Sequence, residues 1–374
     1  MGLHIDTVRF EDFRSYASFE LDNLAGTTVL VGPNAAGKTN AIEGMQLLTA
    51  CGSFRNPRSA DLIRWGKQRA RLRARFISDT RDLSVSLEVR PGVRSYAVNG
   101  KKKAVQDLQG ILPSVTFSPD DLFLVKGTQS ARRAALDLVG CQLSRNHRVI
   151  KRDYEKLVKH KNALLRDEAP ALLLESVNDM LAPTALQLFL YRQALVSNLA
   201  KRMASAYEAI AGGAEHIEAV YVPSWEEEHV KQASRVQPLG LHYDRESAEV
   251  SLRRAMQRRG TEERARRRSV VGPHADHVEF FIDGRNASMF ASQGQQRSLA
   301  WKIAEVGIVE EMLGVPPVLL LDDVMSELDA SRRAALMALV SKGSQVFVTT
   351  TDTSFFEEAA LGAASVVELK GGLR

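Results

Sequence analysis

GPNAAGKT, residues 32 to 39, follows the apolar run TTVLV (27–31) without a gap and leads directly into NAIEGMQLL. The pattern G-x-x-x-x-G-K-[ST] is complete here, and it stands between a strand pattern and a helix pattern, the setting in which it means a phosphate loop. Glycines let backbone N–H groups close around phosphates at the positive end of a helix. Gly32, Pro33, Asn34, Ala35, Ala36, Gly37, Lys38, Thr39 and Asn40 are therefore the expected contacts to a nucleoside triphosphate. Lys38 reaches the β and γ phosphates, and the Thr39 hydroxyl is a ligand for Mg²⁺. A chance glycine-rich turn is the competing reading, and the flanks speak against it.

Such a loop needs carboxylates at the metal edge. VLLLDDVMSELD, Val318 to Asp329, delivers them from a continuous apolar run of the kind that central parallel strands show. Asp322 is the expected Mg²⁺ ligand, direct or through water, and Asp323 the residue that orients or deprotonates the attacking water. Capping of the turn after the strand is the alternative for Asp323. SQVFVTTTD (344–352) is a second buried-strand pattern. An α/β nucleotide-binding sheet is thus expected to draw on both ends of the chain.

Between these ends, residues 69 to 99 switch to a period of two and read as antiparallel strands, with Asn99-Gly100 as a turn. Residues 128 to 211 are mostly helical, with breaks expected around Asp167 to Pro170 and near Pro183 and a close at Gly212-Gly213. The expected organisation is residues 1–127 as one half of the nucleotide-binding head, 128–252 as an inserted, mainly helical lobe, and 253–374 as the other half.

With 374 residues, 44% hydrophobic and 25% charged, the chain has the composition of a soluble protein of two or three lobes. No run of about 18 apolar residues is present, and MGLHIDTVRFEDF lacks the order of a signal peptide, so a cytoplasmic protein without membrane contact is expected. Cys51 and Cys141 stand in no metal or disulfide pattern and read as packing residues. Charge is unevenly placed: Arg253 to Arg268 carries eight arginines and two glutamates, a local +6 against +5 for the whole chain. Arg64 to Arg75 adds five arginines and one lysine with no acid. Local positive charge of this kind is the footprint of phosphate-backbone binding, although charge runs are also ordinary solvated faces.

A second polar turn, ASQGQQR (291–297), stands at the head of an apolar helical pattern. Ser292, Gly294 and Gln295 present a hydroxyl, a glycine N–H and a positive helix end, together an anion site. Its place one helix and one loop ahead of LLLDD matches the order of motifs in one branch of phosphate-loop enzymes.

FEDFRSY, GPNAAGKTNAIEGM, SFRNPRSADLIRWG, VTFSPDDLFLVKG, ARRAALD, KHKNALLR, VVGPHADH, ASQGQQRSLAWKIAE, LLLDDVMSELD and QVFVTTTD follow one another in order over nearly the whole chain. The series resembles the RecF family of bacterial recombination mediators, among the ABC-type, SMC-like ATPases of DNA repair. That resemblance implies an ABC-type P-loop ATPase head assembled from N- and C-terminal halves, with an inserted, mainly helical lobe. It implies ATP and Mg²⁺ as cofactors and an ATP-dependent homodimer in which Ser292, Gly294 and Gln295 contact the γ phosphate held by the other copy. It further implies that Ser326 to Asp329 link the two sites, that Thr351 occupies a switch position, and that Arg14 touches phosphate in cis. Double-stranded DNA, single-strand/double-strand junctions, RecR and RecO are the implied partners, and slow ATP hydrolysis and assistance to RecA loading the implied activity. Two departures stand out: Gln129 replaces a proline, and GPHADH (272–277) replaces GPHRDD.

For DNA, Arg69, Arg71, Arg73 and Arg75 alternate and share one face of a strand, suited to successive phosphates or to an exposed sheet face. Lys101, Lys102 and Lys103 follow the Asn99-Gly100 turn as a hairpin tip, solvated or on a DNA backbone. Aromatics are only 6% of the chain, and apart from Trp65 they avoid the basic clusters, which favours duplex backbone contact over base stacking. His274, Asp276 and His277 also raise a metal reading, against a structural loop. A transporter ATPase subunit keeps its phosphate loop and signature turn much closer together than this chain does. A structural chromosome clamp of the SMC type needs long heptad arms, for which 374 residues leave no room.

Overall fold

The computed structural model describes residues 2–24, 26–211, 215–226, 243–287, 294–340, 343–356 and 363–369. It divides into two compact units, residues 1–121 with 305–374, and residues 122–304. The first opens with β1 (His4–Phe13), β2 (Tyr16–Leu21) and β3 (Thr27–Val31), then α1 (Lys38–Thr49). Next come β4 (Ala70–Ile77), β5 (Asp82–Arg90), β6 (Val93–Val98), β7 (Lys101–Lys103), the one-turn α2 (Val105–Leu108) and β8 (Ser114–Phe117). The second unit holds α3 (Gln129–Leu143), α4 (Arg145–Arg166), α5 (Ala171–Ala211), β9 (Ile217–Val222), α6 (Arg245–Arg258), α7 (Gly260–Arg266), β10 (His277–Ile282) and β11 (Arg285–Asn286). Helix α8 (Gly294–Leu313) leads the chain back to β12 (Val318–Asp322), α9 (Ala330–Val340), β13 (Val346–Thr350) and β14 (Ser365–Glu368).

The nucleotide-binding sheet has the order β14-β3-β13-β12-β8, with parallel pairing throughout. Every residue of β8, β12 and β13 is buried, which is why VLLLD and VFVTT carry no alternation. A second, antiparallel sheet runs β2-β1-β4-β5-β6-β7. Here alternation rules: Ala70, Leu72, Ala74 and Phe76 of β4 are buried, while the residues between them are half-buried or exposed. The inward faces join Phe10, Met45, Leu48 and Val85 in one core, each large side chain contributing roughly 1.5–3 kcal/mol by burial. The turn at Asn99-Gly100 has positive φ at both residues, 50° and 74°, as a two-residue hairpin between β6 and β7 requires. Strand β2 is an element that the sequence pattern did not show, because its buried positions, Tyr16, Phe19 and Leu21, do not alternate regularly.

In the second unit, α4 stops at Arg166 and α5 starts at Ala171, so the break expected at Asp167 to Pro170 is present. The break expected near Pro183 is absent, and α5 runs through it. Pro183 and Asp179, whose carbonyl loses its helical donor, are both exposed, so water can satisfy that carbonyl. Meanwhile Leu174, Val177, Leu181, Ala185 and Leu188 keep an unbroken buried stripe. Gly212-Gly213 lies outside the described residues. At the centre of this unit Arg192 donates through Nε and one terminal nitrogen to both oxygens of Asp137, at 2.9 and 2.7 Å, and through the other to the Pro273 carbonyl at 2.6 Å. His147 Nε2 lies 3.1 Å from the same carboxylate. Burial pushes the Asp137 carboxyl up, but Arg192 and His147 outweigh it and hold it well below the usual carboxylate range.

Candidate functional site

Strand β3 ends at Val31, and the backbone turns at once. Gly32 N–H donates to the Thr350 carbonyl of the neighbouring strand at 3.2 Å, and a Cβ at Gly32 would come within 2.5 Å of the Leu369 carbonyl oxygen. Ala36 N–H closes the turn on the Pro33 carbonyl at 3.2 Å. Gly37 caps α1 with φ of 96°, a conformation that side chains oppose, and a Cβ there would meet the Tyr16 hydroxyl at 2.8 Å. Asn40 and Ala41 then donate to the Gly37 carbonyl as the helix begins. Lys38 folds back over the loop, its Nζ donating to the Gly32 and Pro33 carbonyls at 2.7 and 3.1 Å.

At the end of β12, Asp322 is buried and accepts from the Thr349 hydroxyl at 2.9 Å, with the Thr39 hydroxyl beside it. Burial raises its carboxyl above the ordinary value, while the Thr349 and Thr39 hydroxyls act in the opposite direction. Asp323 takes a left-handed turn, φ 50°, and its N–H donates to the Thr349 hydroxyl at 2.9 Å. Its Oδ1 is buried with no hydrogen-bond partner. Hard oxygen donors at Thr39 and Asp322, with an unsatisfied carboxylate oxygen beside them, suit a Mg²⁺ ion and its bound water.

Arg14, the expected phosphate contact in cis, is anchored by protein groups. Its Nε and one terminal nitrogen donate to the two oxygens of Glu43, each at 2.8 Å, and its other terminal nitrogen to the Asp61 carbonyl at 2.7 Å. These bonds use three of its five N–H groups, which leaves two for a phosphate oxygen. Glu43 also accepts from the Ser53 hydroxyl at 2.7 Å. Asn40 donates to Ser15 and accepts from Arg55 at 3.0 Å, and the Arg55 charge acts on Asp322. Arg55, Glu43 and Thr349 are neighbours of the site that motif reading passed over. The single signal for Glu43 is an acid within the apolar helix segment Ala41 to Leu48.

Thr351 is exposed on the turn after β13. Ser326 donates to the Asp323 carbonyl at 2.9 Å, and Asp329 caps α9 by accepting from Arg332 N–H at 3.0 Å. Ser292 lies outside the described residues. Gly294 and Gln295 form the first turn of α8, as their pattern indicated.

Among the basic residues, Arg71 lies 3.5 Å from Glu88 and 3.8 Å from Glu11, while Arg75 pairs with Asp82 at 2.6 Å and with Asp6 at 3.3 Å. Arg69 and Arg73 have no ion pair among the described residues, so the arginine row is about half neutralised. Lys101, Lys102 and Lys103 are all exposed on β7. In the GPHADH loop, Asp276 is buried and accepts from the Tyr221 hydroxyl and Ser224 N–H, both at 2.7 Å. His274 sits between the Tyr154 hydroxyl and the Ser269 carbonyl, and His277 lies 3.3 Å from Glu279. These three side chains turn to separate partners, and no metal-holding cluster occurs among the described residues. Gln129, where the resemblance led one to expect proline, donates to Glu279 at 2.8 Å and accepts from Val278 N–H at 2.9 Å, tying α3 to β10. No helix among the described residues is long and apolar enough to cross a membrane.

The family model described as RecF/RecN/SMC N terminal domain matches residues 4–370. A DNA replication and repair protein RecF from Heliobacterium modesticaldum is 34% identical over 379 residues, covering 99% of this chain and 98% of that protein. One from Myxococcus xanthus is 36% identical over 378 residues, covering 100% and 96%. A solved structure of the recombination mediator protein RecF-ATP in the RecFOR pathway is similar with a TM-score of 0.83 and 26% identity, over 95% of this chain and 94% of that one.

Proposed function

This chain belongs to the RecF/RecN/SMC N-terminal family, and within it to the RecF proteins of DNA replication and repair, and from that premise we propose a specific cycle for it as a repair ATPase. ATP binds on the Gly32–Thr39 loop, two copies close on one another, the pair holds duplex DNA at gapped or single-strand/double-strand junctions, and slow hydrolysis, stimulated by DNA, releases it. The observation that carries the chemistry is the meeting of the Thr39 hydroxyl, the buried Asp322 and Thr349 at the head of α1, beside the unsatisfied Asp323 oxygen.

Backbone N–H groups of the loop and the α1 terminus hold the phosphates, and Lys38 exchanges its loop carbonyls for phosphate oxygens. Thr39 and Asp322 hold Mg²⁺, which when bound neutralises phosphate charge. Asp323 accepts a hydrogen bond from the attacking water and turns it toward the γ phosphorus. Ser292, Gly294 and Gln295 of the second copy complete the anion site, and Thr351 lies at the switch position. Arg253 to Arg268, together with Arg69, Arg73 and Lys101 to Lys103, supplies sequence-tolerant contact to the DNA backbone. RecO and RecR are the partners, as the RecFOR pathway of the solved relative suggests, and assistance to RecA loading is the outcome.

The test is the mass in solution with ATP, with ADP and without nucleotide, for wild type, Lys38→Met and Ser292→Arg. An ATP-specific dimer is expected, weakened in Lys38→Met; Ser292→Arg binds ATP yet remains monomeric. Normal dimerisation of Ser292→Arg would remove the trans role of the signature turn. DNA affinity that is unchanged from low to moderate salt would remove the backbone-binding role.

A further inference from the structure

Trp65 leaves 98% of its surface in solvent, whereas Trp225 and Trp301 are 6% and 1% exposed. It precedes a turn at Gly66, φ 78°, in the segment that joins the phosphate-loop region to β4. Among the described residues, the two cations that lie over rings belong to Phe54 and Phe280, so the Trp65 indole is uncovered. Cations flank it along the chain. Arg64 and Lys67 each lie 3.8 Å from Asp12, sharing one carboxylate between two charges. Arg69, with no ion pair among the described residues, lines an open recess of about 420 Å³ with Gln68, Arg90 and Pro91. Arg90 is paired with Glu88 at 2.7 Å, which leaves the recess a positive surplus.

A lone aromatic face amid cations is the combination that binds unpaired bases: the ring stacks on a base, and the cations track the backbone. Protein hot spots also use tryptophan, in pockets that lose their water on binding; the arginine, lysine and glutamine beside Trp65 in the chain favour a phosphate-bearing partner instead. Bases within a duplex already stack on each other. We infer that Trp65 is a stacking platform for an unpaired nucleobase of DNA, with Lys67 and Arg69 on the adjoining phosphates. This rests on the DNA-binding reading above and refines it, because the platform engages a strand end or gap and leaves the duplex to the other basic residues.

The test compares the affinity of wild type, Trp65→Ala and Trp65→Phe, with ATP present, for a blunt duplex and for the same duplex carrying a single-stranded extension. Trp65→Ala should weaken binding to the extended duplex by at least about fivefold, the low end for loss of one stacked base, and change binding to the blunt duplex by less than about twofold. Trp65→Phe should recover most of the loss. In the wild type, the extended duplex alone should quench tryptophan fluorescence, since Trp65 is the exposed indole. Equal losses on both duplexes, no loss on either, or no recovery with Phe overturns the platform. Loss of self-association or of protein partners without a DNA effect also overturns it, in favour of a protein-docking residue. If the wild type binds neither duplex, the DNA-binding reading itself fails; if it binds both and Trp65→Ala changes nothing, only the platform falls.

Discussion

Replacing Arg14 by Met distinguishes a strut from a phosphate ligand. Its side chain is 19% exposed and its carboxylate partner, Glu43, is 0% exposed, so the pair lies largely out of water. Without Arg14, Glu43 keeps the Ser53 hydroxyl at 2.7 Å and a distant Arg55 at 3.5 Å, too little to replace two charge-assisted bonds at 2.8 Å. Removing one partner of a buried pair costs roughly 3–5 kcal/mol. For a unit of this size each kcal/mol moves the melting temperature by about 2–4 °C, so Arg14→Met should lower it by about 6–20 °C. The double variant Arg14→Met/Glu43→Leu should regain most of that, because no orphan charge is left. Thermal melts with and without ATP, alongside titration with a fluorescent ATP analogue, measure both quantities. A melting temperature within about 2 °C of wild type, with a tenfold or greater loss of ATP affinity that the double variant does not restore, would refute the strut and make Arg14 a phosphate ligand.

Gly37→Ala should lower ATP affinity by at least tenfold, since the φ of 96° and a Cβ 2.8 Å from the Tyr16 hydroxyl both distort the loop. Adding Tyr16→Phe should not restore it, because the ring carbon remains 2.9 Å away; an analogue titration decides. Gly44→Ala gains about 1 kcal/mol of helix propensity but sets a Cβ 2.5 Å from the Phe10 ring, at an overpacking cost of about 1–3 kcal/mol. A lower melting temperature that Phe10→Leu relieves is the expected result. Because the Asp137 carboxyl is depressed in the fold, the stability it contributes is present above its ordinary pKa of about 3.9 and is lost as the pH falls below that toward the folded value. Asp137→Asn should therefore be less stable at neutral pH, with a flatter acid limb, as followed by urea midpoints against pH using Trp225 and Trp301 fluorescence in a Trp65→Phe background.

What was legible in the sequence is what is encoded locally or by period. GPNAAGKT carries its own turn chemistry, VLLLDD announces a buried strand by lacking alternation, and RARLRARF announces a half-exposed one by having it. Partners brought together only by the fold were not legible. Nothing near Arg14 in the sequence indicates a carboxylate 29 positions later, nor does anything near Thr349 indicate that it bridges Asp322 and the Asp323 backbone. The arginine row was visible, but the acids that half neutralise it come from the neighbouring strands β1 and β5. Pro183 misled because the hydrogen bond that a proline removes costs less where water reaches the freed carbonyl, and exposure is not written in local sequence.

The strand order β14-β3-β13-β12-β8 has a consequence for the timing of synthesis. Within this sheet, β3 and β8 come from the first third of the chain and never touch each other; each is paired only with strands made after residue 317. While the chain emerges from the ribosome, the phosphate loop hangs on a strand without neighbours, and at ordinary translation speeds that interval lasts on the order of tens of seconds. Until β13 and β14 arrive, β3 lacks both of its sheet partners, so the proposed nucleotide site takes its final form only at the end of synthesis.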